Sequence, residues 1–292
     1  MIKDVKNDIV FTPDYFAEFM CDLAEITCES TVLDNAAGSG QLIIPALKRG
    51  ASAVAVEYNG EVYRALEENL STFGNKATTI CCDGLNVEEK LLKDIDTVLI
   101  NPPYSFDGAG LIFAYEASKN MKSGKMVVLV PSSAGDKQDW TSKVLENNTL
   151  KASITCADIF KGFASVNVSV YVFECGRPHE EDDIVTFIDF TNDGYTRSGR
   201  KTQKGKVTNT NKASERYKEV VDIVLHDKEP ELLKDKVIKD TLKETSKWSY
   251  RSHVVIDTTP TEEDFKKTVA DYLEYKCKML LQNANNADKP YT

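Results

Sequence analysis

Asn101-Pro102-Pro103-Tyr104 puts a side-chain amide, a rigid turn and an aromatic ring directly after the apolar run Asp96-Thr97-Val98-Leu99-Ile100. Prolines cannot extend a sheet, so the run reads as a buried parallel strand stopping at its carboxyl end, where open α/β sheets bind ligands. Alone, a double proline after a strand is only a terminator; its meaning depends on what else reaches the same edge. Three acidic strand ends do so in succession: Asp34 after Thr31-Val32-Leu33, Glu57 closing the run from Ala51, and Asp83 after the run from Ala77. A carboxylate at the end of the second strand offers two acceptors to the two hydroxyls of a ribose. Asn35-Ala36-Ala37-Gly38-Ser39-Gly40, following Asp34, is a loop of small residues that lets backbone approach a ligand closely. It lacks G-x-G-x-x-G spacing, so on its own it also reads as a plain strand-to-helix turn.

The elements that must carry these groups alternate. Thr12 suits an N-cap, Pro13 a first helical position and Asp14 the positive end of a helix dipole, with apolar residues at helical spacing to about Cys28. Further helices are expected over 41–49, 61–72 and 111–121, between strands over 51–57, 77–82, 97–100 and 125–130. Strands separated by helical stretches of this length predict βαβ units and a mainly parallel sheet. Two close strands over 152–157 and 166–173, joined by a loop with Phe160 and Phe163, predict an antiparallel hairpin at the sheet edge. This makes residues 1–176 one catalytic-type α/β domain. Residues 177–292 form a smaller extension, entered through the charged joint Glu180-Glu181-Asp182-Asp183 and holding one strand over 184–190 and helices over 213–225 and 260–281. Residues 194–214 hold Arg197, Arg200, Lys201, Lys204, Lys206 and Lys212 without an acidic residue: a solvated loop, or an arm that reaches phosphates. The last helix, with Thr259 as N-cap and Pro260 at its first position, carries a stripe from Phe265 through Val269, Tyr272, Leu273 and Cys277 to Leu280, which packs on its own domain or docks on another chain.

Composition excludes several classes. At 292 residues, 41% hydrophobic and 28% charged, the chain has the make-up of a soluble globular protein, and it holds no membrane-length apolar stretch or signal segment, so a cytoplasmic site is expected. Seven cysteines without C-x-x-C spacing or nearby histidines predict reduced core residues and no metal site, and surface or capping roles are expected for the three histidines. Net charge is −10, with 15 basic and 24 acidic residues over 1–175 and 21 and 22 over 176–292. That balance argues against tight unaided binding to a polyanion and directs any nucleic-acid contact to the second half.

Phe11-Thr12-Pro13, the loop from Asp34 to Gly40, Glu57, Asp83 and Asn101-Pro102-Pro103-Tyr104 stand in the order found in class I S-adenosylmethionine-dependent methyltransferases. The chain resembles the N6-adenine DNA methyltransferases of the gamma arrangement over about residues 8–175, and among these it looks most like the modification subunits of type I restriction systems. It departs from them at Asn35, where the family usually has proline. The resemblance implies a Rossmann-like, mainly parallel sheet with an antiparallel edge hairpin and a smaller α-rich C-terminal extension. It implies S-adenosylmethionine held by Phe11, Thr12, Asp34, Ala36, Gly38, Gly40, Glu57, Asp83 and Asn101, and catalysis by Asn101, Pro102 and Tyr104. Tyr104 and Phe160, or else Phe163, stack on the target base.

The implied chemistry suits the residues. Adenine N6 is a poor nucleophile because its lone pair is delocalised into the ring; the Asn101 side-chain oxygen and the Pro102 carbonyl accept its two N–H bonds and favour a tetrahedral nitrogen. A specific DNA site is the expected substrate and a separate specificity protein the expected partner, with the 260–281 helix as docking element and Arg197, Arg200, Lys201, Lys204 and Lys206 as a phosphate-facing arm; oligomerisation stays open. Two alternatives stand beside this reading: methylation of a glutamine amide or an RNA base, where Asn-Pro-Pro-Tyr also occurs, and a non-catalytic assembly subunit that keeps the fold.

Overall fold

A computed structural model describes residues 12–198, 206–243, 247–255 and 261–287. The chain divides between His253 and Val254 into two units, Met1–His253 and Val254–Thr292. The first is built on one nine-stranded sheet; the second holds a single long helix.

In the first unit, α1 (Asp14–Leu23) precedes β1 (Thr31–Asp34), α2 (Ile43–Lys48), β2 (Ser52–Glu57), α3 (Gly60–Leu70), β3 (Ala77–Cys81) and β4 (Thr97–Ile100). Then come α4 (Leu111–Ser118), β5 (Gly124–Pro131), α5 (Gln138–Leu145), β6 (Asn148–Cys156), β7 (Val168–Cys175) and β8 (Ile184–Phe190). A short hairpin of β9 (Tyr195–Arg197) and β10 (Val207–Asn209), α6 (Ala213–His226) and β11 (Val237–Thr241) complete it. Strand order in the large sheet is β11-β8-β6-β7-β5-β4-β1-β2-β3. Strands β3, β2, β1, β4 and β5 pair in parallel, and β7 runs antiparallel to both β5 and β6.

Period-two alternation explains the layering. Val32 and Leu99 join one core with α1, α2, α3 and α6, whereas Leu33, Val98 and Ile100 join a second with α4 and α5. Strand β4 is buried along its whole length, as a central parallel strand covered on both faces must be. Because helices leave β1 and β4 toward opposite faces, the loops after these adjacent strands diverge and open a crevice at the topological switch point.

Several expectations are adjusted. The hairpin β6–β7 does not form the edge, because β8 adds in parallel to β6 and β11 adds antiparallel to β8. Residues 177–253 thus complete the sheet, and the chain divides at His253 instead of near residue 176. Helix α1 starts one residue late, with Pro13 at the N-cap and no side-chain cap; the Thr12 hydroxyl is used elsewhere, as described below. Cys21, Cys156 and Cys175 are buried, but Cys28, Cys81 and Cys277 are exposed. His253, expected at the surface, is buried: its ring stacks on Phe187 at 3.7 Å and Nδ1 lies 2.7 Å from Asp240.

In the second unit, α7 (Glu262–Ala287) opens on a reciprocal cap. Thr261 Oγ1 accepts from the Asp264 N–H, and Asp264 accepts from the Thr261 N–H. Thr259 and Pro260, expected to start this helix, lie outside the described residues. Phe265, Tyr272, Leu273 and Leu280 are all more than half exposed along it. No helix among the described residues is long and apolar enough to cross a membrane.

Candidate active site

The crevice between the ends of β1 and β4 is a cleft of about 630 Å³. Asp34, Ala36, Gly38, Glu57, Asp83, Asn101, Pro102, Tyr104 and Thr12 all line it. Phe11, expected beside Thr12, lies outside the described residues.

The loop after β1 is tied down from three sides. Ala36 N–H donates to Asp34 Oδ1 at 3.0 Å, Ala37 N–H to the Val56 carbonyl at 2.8 Å, and Gly38 N–H to Glu57 Oε2 at 2.9 Å. Glu57 Oε1 accepts from the Asn59 N–H at 2.7 Å, while the Asn59 side chain caps α3. Both Glu57 oxygens are therefore oriented by backbone and keep lone pairs for a ligand. Asp83 is held likewise by the Leu85 N–H at 3.0 Å and the Asn86 amide at 2.6 Å. Gly38, at φ +56°, needs the left-handed conformation this loop imposes.

Asp34 is 1% exposed. Burial pushes its carboxyl up to about 8; the Ala36 N–H opposes this, and the negative charge of Glu57 adds a smaller upward push. No lysine, arginine or histidine lines the cleft among the described residues. Three acidic side chains thus face a space with no protein cation among the described residues.

At the opposite lip, Asn101 Nδ2 donates to Thr12 Oγ1 at 3.0 Å and Asn101 Oδ1 accepts from the Tyr104 hydroxyl at 2.8 Å. Burial drives the Tyr104 phenol far above its ordinary range, so it stays protonated and donates. The amide is fixed with nitrogen toward the start of α1 and oxygen toward Tyr104.

Residues 18–160 match a family model described as Conserved hypothetical protein 95. Across 93% of its length the chain is 27% identical to RM.BcgI of Heyndrickxia coagulans, a type II restriction enzyme and methyltransferase; it covers 46% of that protein and so spans less than half the relative's length. A structure described as a modification subunit of a type I restriction enzyme from Vibrio vulnificus YJ016 superposes with a TM-score of 0.62 at 14% identity, over 81% of this chain and 56% of that one. A chain from an assembled type I restriction-modification system gives 0.61 at 14% identity, over 98% and 68%. The EcoKI M protein gives 0.57 at 16% identity, over 75% and 54%. The chain shares its fold with these modification subunits.

Within this fold, some expected residues lie away from the cleft. Gly40 does not line it: at φ +92° it packs under α3, where an added Cβ would sit 3.1 Å from Leu66 and 3.3 Å from Leu70. Phe160 is 1% exposed in the main core, whereas Phe163, three residues on, is 62% exposed. The exposed aromatic of that loop is therefore Phe163. Arg197 is no phosphate-facing side chain: it is 8% exposed and paired with the buried Asp193, and it donates to the Tyr15 hydroxyl through Nε at 3.0 Å and Nη2 at 2.9 Å. Lys206, at the foot of the same hairpin, is exposed. Arg200, Lys201 and Lys204 fall outside the described residues.

Two contributors escaped the sequence reading. Asn35 Nδ2 donates at 3.1 Å to both the Gly84 and Phe113 carbonyls, linking the loop after β1 to the loop after β3 and to α4. These bonds hold the turn of the loop after β1. Gly84 is required beside it, since a Cβ there would lie 1.7 Å from the Asn35 carbonyl oxygen. The one available signal was the Gly that follows Asp83.

Proposed function

We propose that this chain is a site-specific DNA adenine-N6 methyltransferase that uses S-adenosylmethionine and serves as the modification component of a restriction-modification or related system. The observation that carries the reading is the Asn101 amide, clamped by Thr12 and Tyr104 at the lip of a cleft whose far wall bears Asp34, Glu57 and Asp83.

The cleft's acceptor set fits the cofactor. Its volume lies within the range of small-molecule sites, about 300–1,000 Å³. Three carboxylates without a basic side chain among the lining residues disfavour a phosphate-bearing dinucleotide and favour a ligand that is cationic and rich in donors. Glu57 would take the ribose diol, Asp83 the adenine amino group and Asp34 the ammonium of the methionine end. Bound there, the cofactor supplies a methyl group activated by its sulfonium.

The protein's part is orientation. Asn101 Oδ1 and the Pro102 carbonyl accept the two N–H bonds of the target amino group, which localises its lone pair. No strong base is needed before attack, because the sulfonium is already an activated methyl donor. Tyr104 and the exposed Phe163 offer faces for a base turned out of the duplex.

Sequence recognition and most DNA affinity come, on this reading, from a separate specificity protein. The net charge of −10 and the exposed apolar stripe of α7 support that division of labour. Expression with the neighbouring specificity protein, labelled methyl transfer to DNA and nucleoside analysis test the proposal. N6-methyladenine is the expected product; label confined to protein or RNA would replace it with glutamine-amide or RNA-base methylation.

A further inference from the structure

The buried polar cluster around Arg197 has no part in the reaction as described above, yet it touches the element that holds the catalytic amide. Asp193, 1% exposed, accepts from Arg197 Nη1 at 3.1 Å, from the Tyr217 hydroxyl at 2.6 Å and from the Tyr195 N–H at 3.0 Å, and pairs with Arg197 Nη2. Arg197, so anchored, turns two further donors onto the Tyr15 hydroxyl. Tyr15 lies in the first turn of α1, where Phe16 and Ala17 N–H groups both bond the Pro13 carbonyl at 2.9 Å. Thr12, directly before that turn, accepts from Asn101.

We infer that Arg197 is a positioning residue for the catalytic amide: held by Asp193, it grips Tyr15, fixes the first turn of α1 and thereby sets the Thr12 hydroxyl that orients Asn101. The inference rests on the reading of Asn101 as acceptor for the target amino group. It gives the β9–β10 hairpin and α6 a role in catalysis without contact to any ligand. A buried charge pair needs both partners, and a planar guanidinium can serve a carboxylate and a phenol at once where an ammonium cannot. Fixing Asn101 matters because displacement of about 1 Å can cost about a hundredfold in rate.

Tyr15→Phe is the mildest test, since it leaves the Arg197–Asp193 pair intact; Arg197→Lys is the second, keeping a cation beside Asp193. Both should lower kcat for DNA methylation by about tenfold or more while leaving the cofactor dissociation constant and the melting midpoint near wild type. Tyr15→Phe should cause no further loss in a Thr12→Ala background. Independently of activity, the Asn101 side-chain amide protons, identified by NMR through their loss in Asn101→Asp, should exchange with solvent at least about tenfold faster in Tyr15→Phe. Unchanged amide exchange overturns the inference whether or not the chain methylates DNA, as do losses from Tyr15→Phe and Thr12→Ala that simply multiply. Changed exchange in a chain that transfers no methyl group to DNA would instead uphold the coupling and remove the proposed function.

Discussion

Asp34 on the wall of the cleft and Asp193 at the joint between α1 and α6 are equally buried, each 1% exposed, yet they are surrounded in opposite ways. Asp193 is met by an arginine, a phenol and a backbone N–H. Asp34 is met by one backbone N–H and by the like charge of Glu57, in a cleft with no basic lining residue among the described residues. A buried carboxylate whose partners come from its own chain is architecture. One with no protein cation among the described residues, in a space open to small molecules, suits the cationic ligand proposed above.

The widest gap between the two should appear on deletion. Asp193→Ala strands the Arg197 guanidinium and should cost about 3–5 kcal/mol of stability, measured by urea denaturation; a loss under about 1 kcal/mol would show that the joint is not held by this pair. At the cleft the penalty should fall on rate. Asn101→Ala is expected to lower kcat by about 10²–10³ with little change in the denaturation midpoint, and a variant that keeps methylating in single-turnover assays would detach the amide from the chemistry.

The raised Asp34 carboxyl sharpens the contrast further. The folded state holds this proton more tightly than the unfolded chain, whose aspartates titrate near about 3.9. Stability from this group is therefore present at low pH and is lost as pH rises toward about 8, by up to about 1.36 kcal/mol per unit. Asp34→Asn should flatten that slope. Parallel stability curves for the two proteins across this window would contradict the assignment. The smallest effect is expected from Phe163→Ala, which should weaken binding to DNA carrying an abasic site opposite the target adenine by about 1 kcal/mol and leave stability unchanged.

Local pattern reached one region far better than the other. The three acidic strand ends and Asn101-Pro102-Pro103-Tyr104 lie in short motifs at strand termini, and parallel pairing brings such termini to one edge whatever the rest of the chain does. Arg197 meets Tyr15 across 182 residues, which no period or motif encodes. Its basic neighbours gave the segment the look of a solvated arm, and the decisive acid, Asp193, stands just before it. The extension of the sheet by β8 and β11 was hidden for the same reason, since strand order is settled by long-range pairing. Phe160 and Phe163 could not be separated from composition alone; the turn between them buries one ring and exposes the other. Asn35 shows the reverse case, a departure from the family pattern whose compensation exists only in three dimensions.

On the proposed function, Asp34, Glu57 and Asp83 receive a cationic adenosyl ligand beside Asn101. Isothermal titration with S-adenosylmethionine, with NAD as the phosphate-bearing control and repeated in buffers of different ionisation enthalpy, tests it most directly. S-adenosylmethionine should bind with release of a proton below about pH 8 as Asp34 ionises, Glu57→Ala should lose at least about tenfold in affinity, equivalent to about 1.4 kcal/mol, and NAD should not bind. Binding of NAD in place of S-adenosylmethionine, or equal affinity in Glu57→Ala, would contradict it.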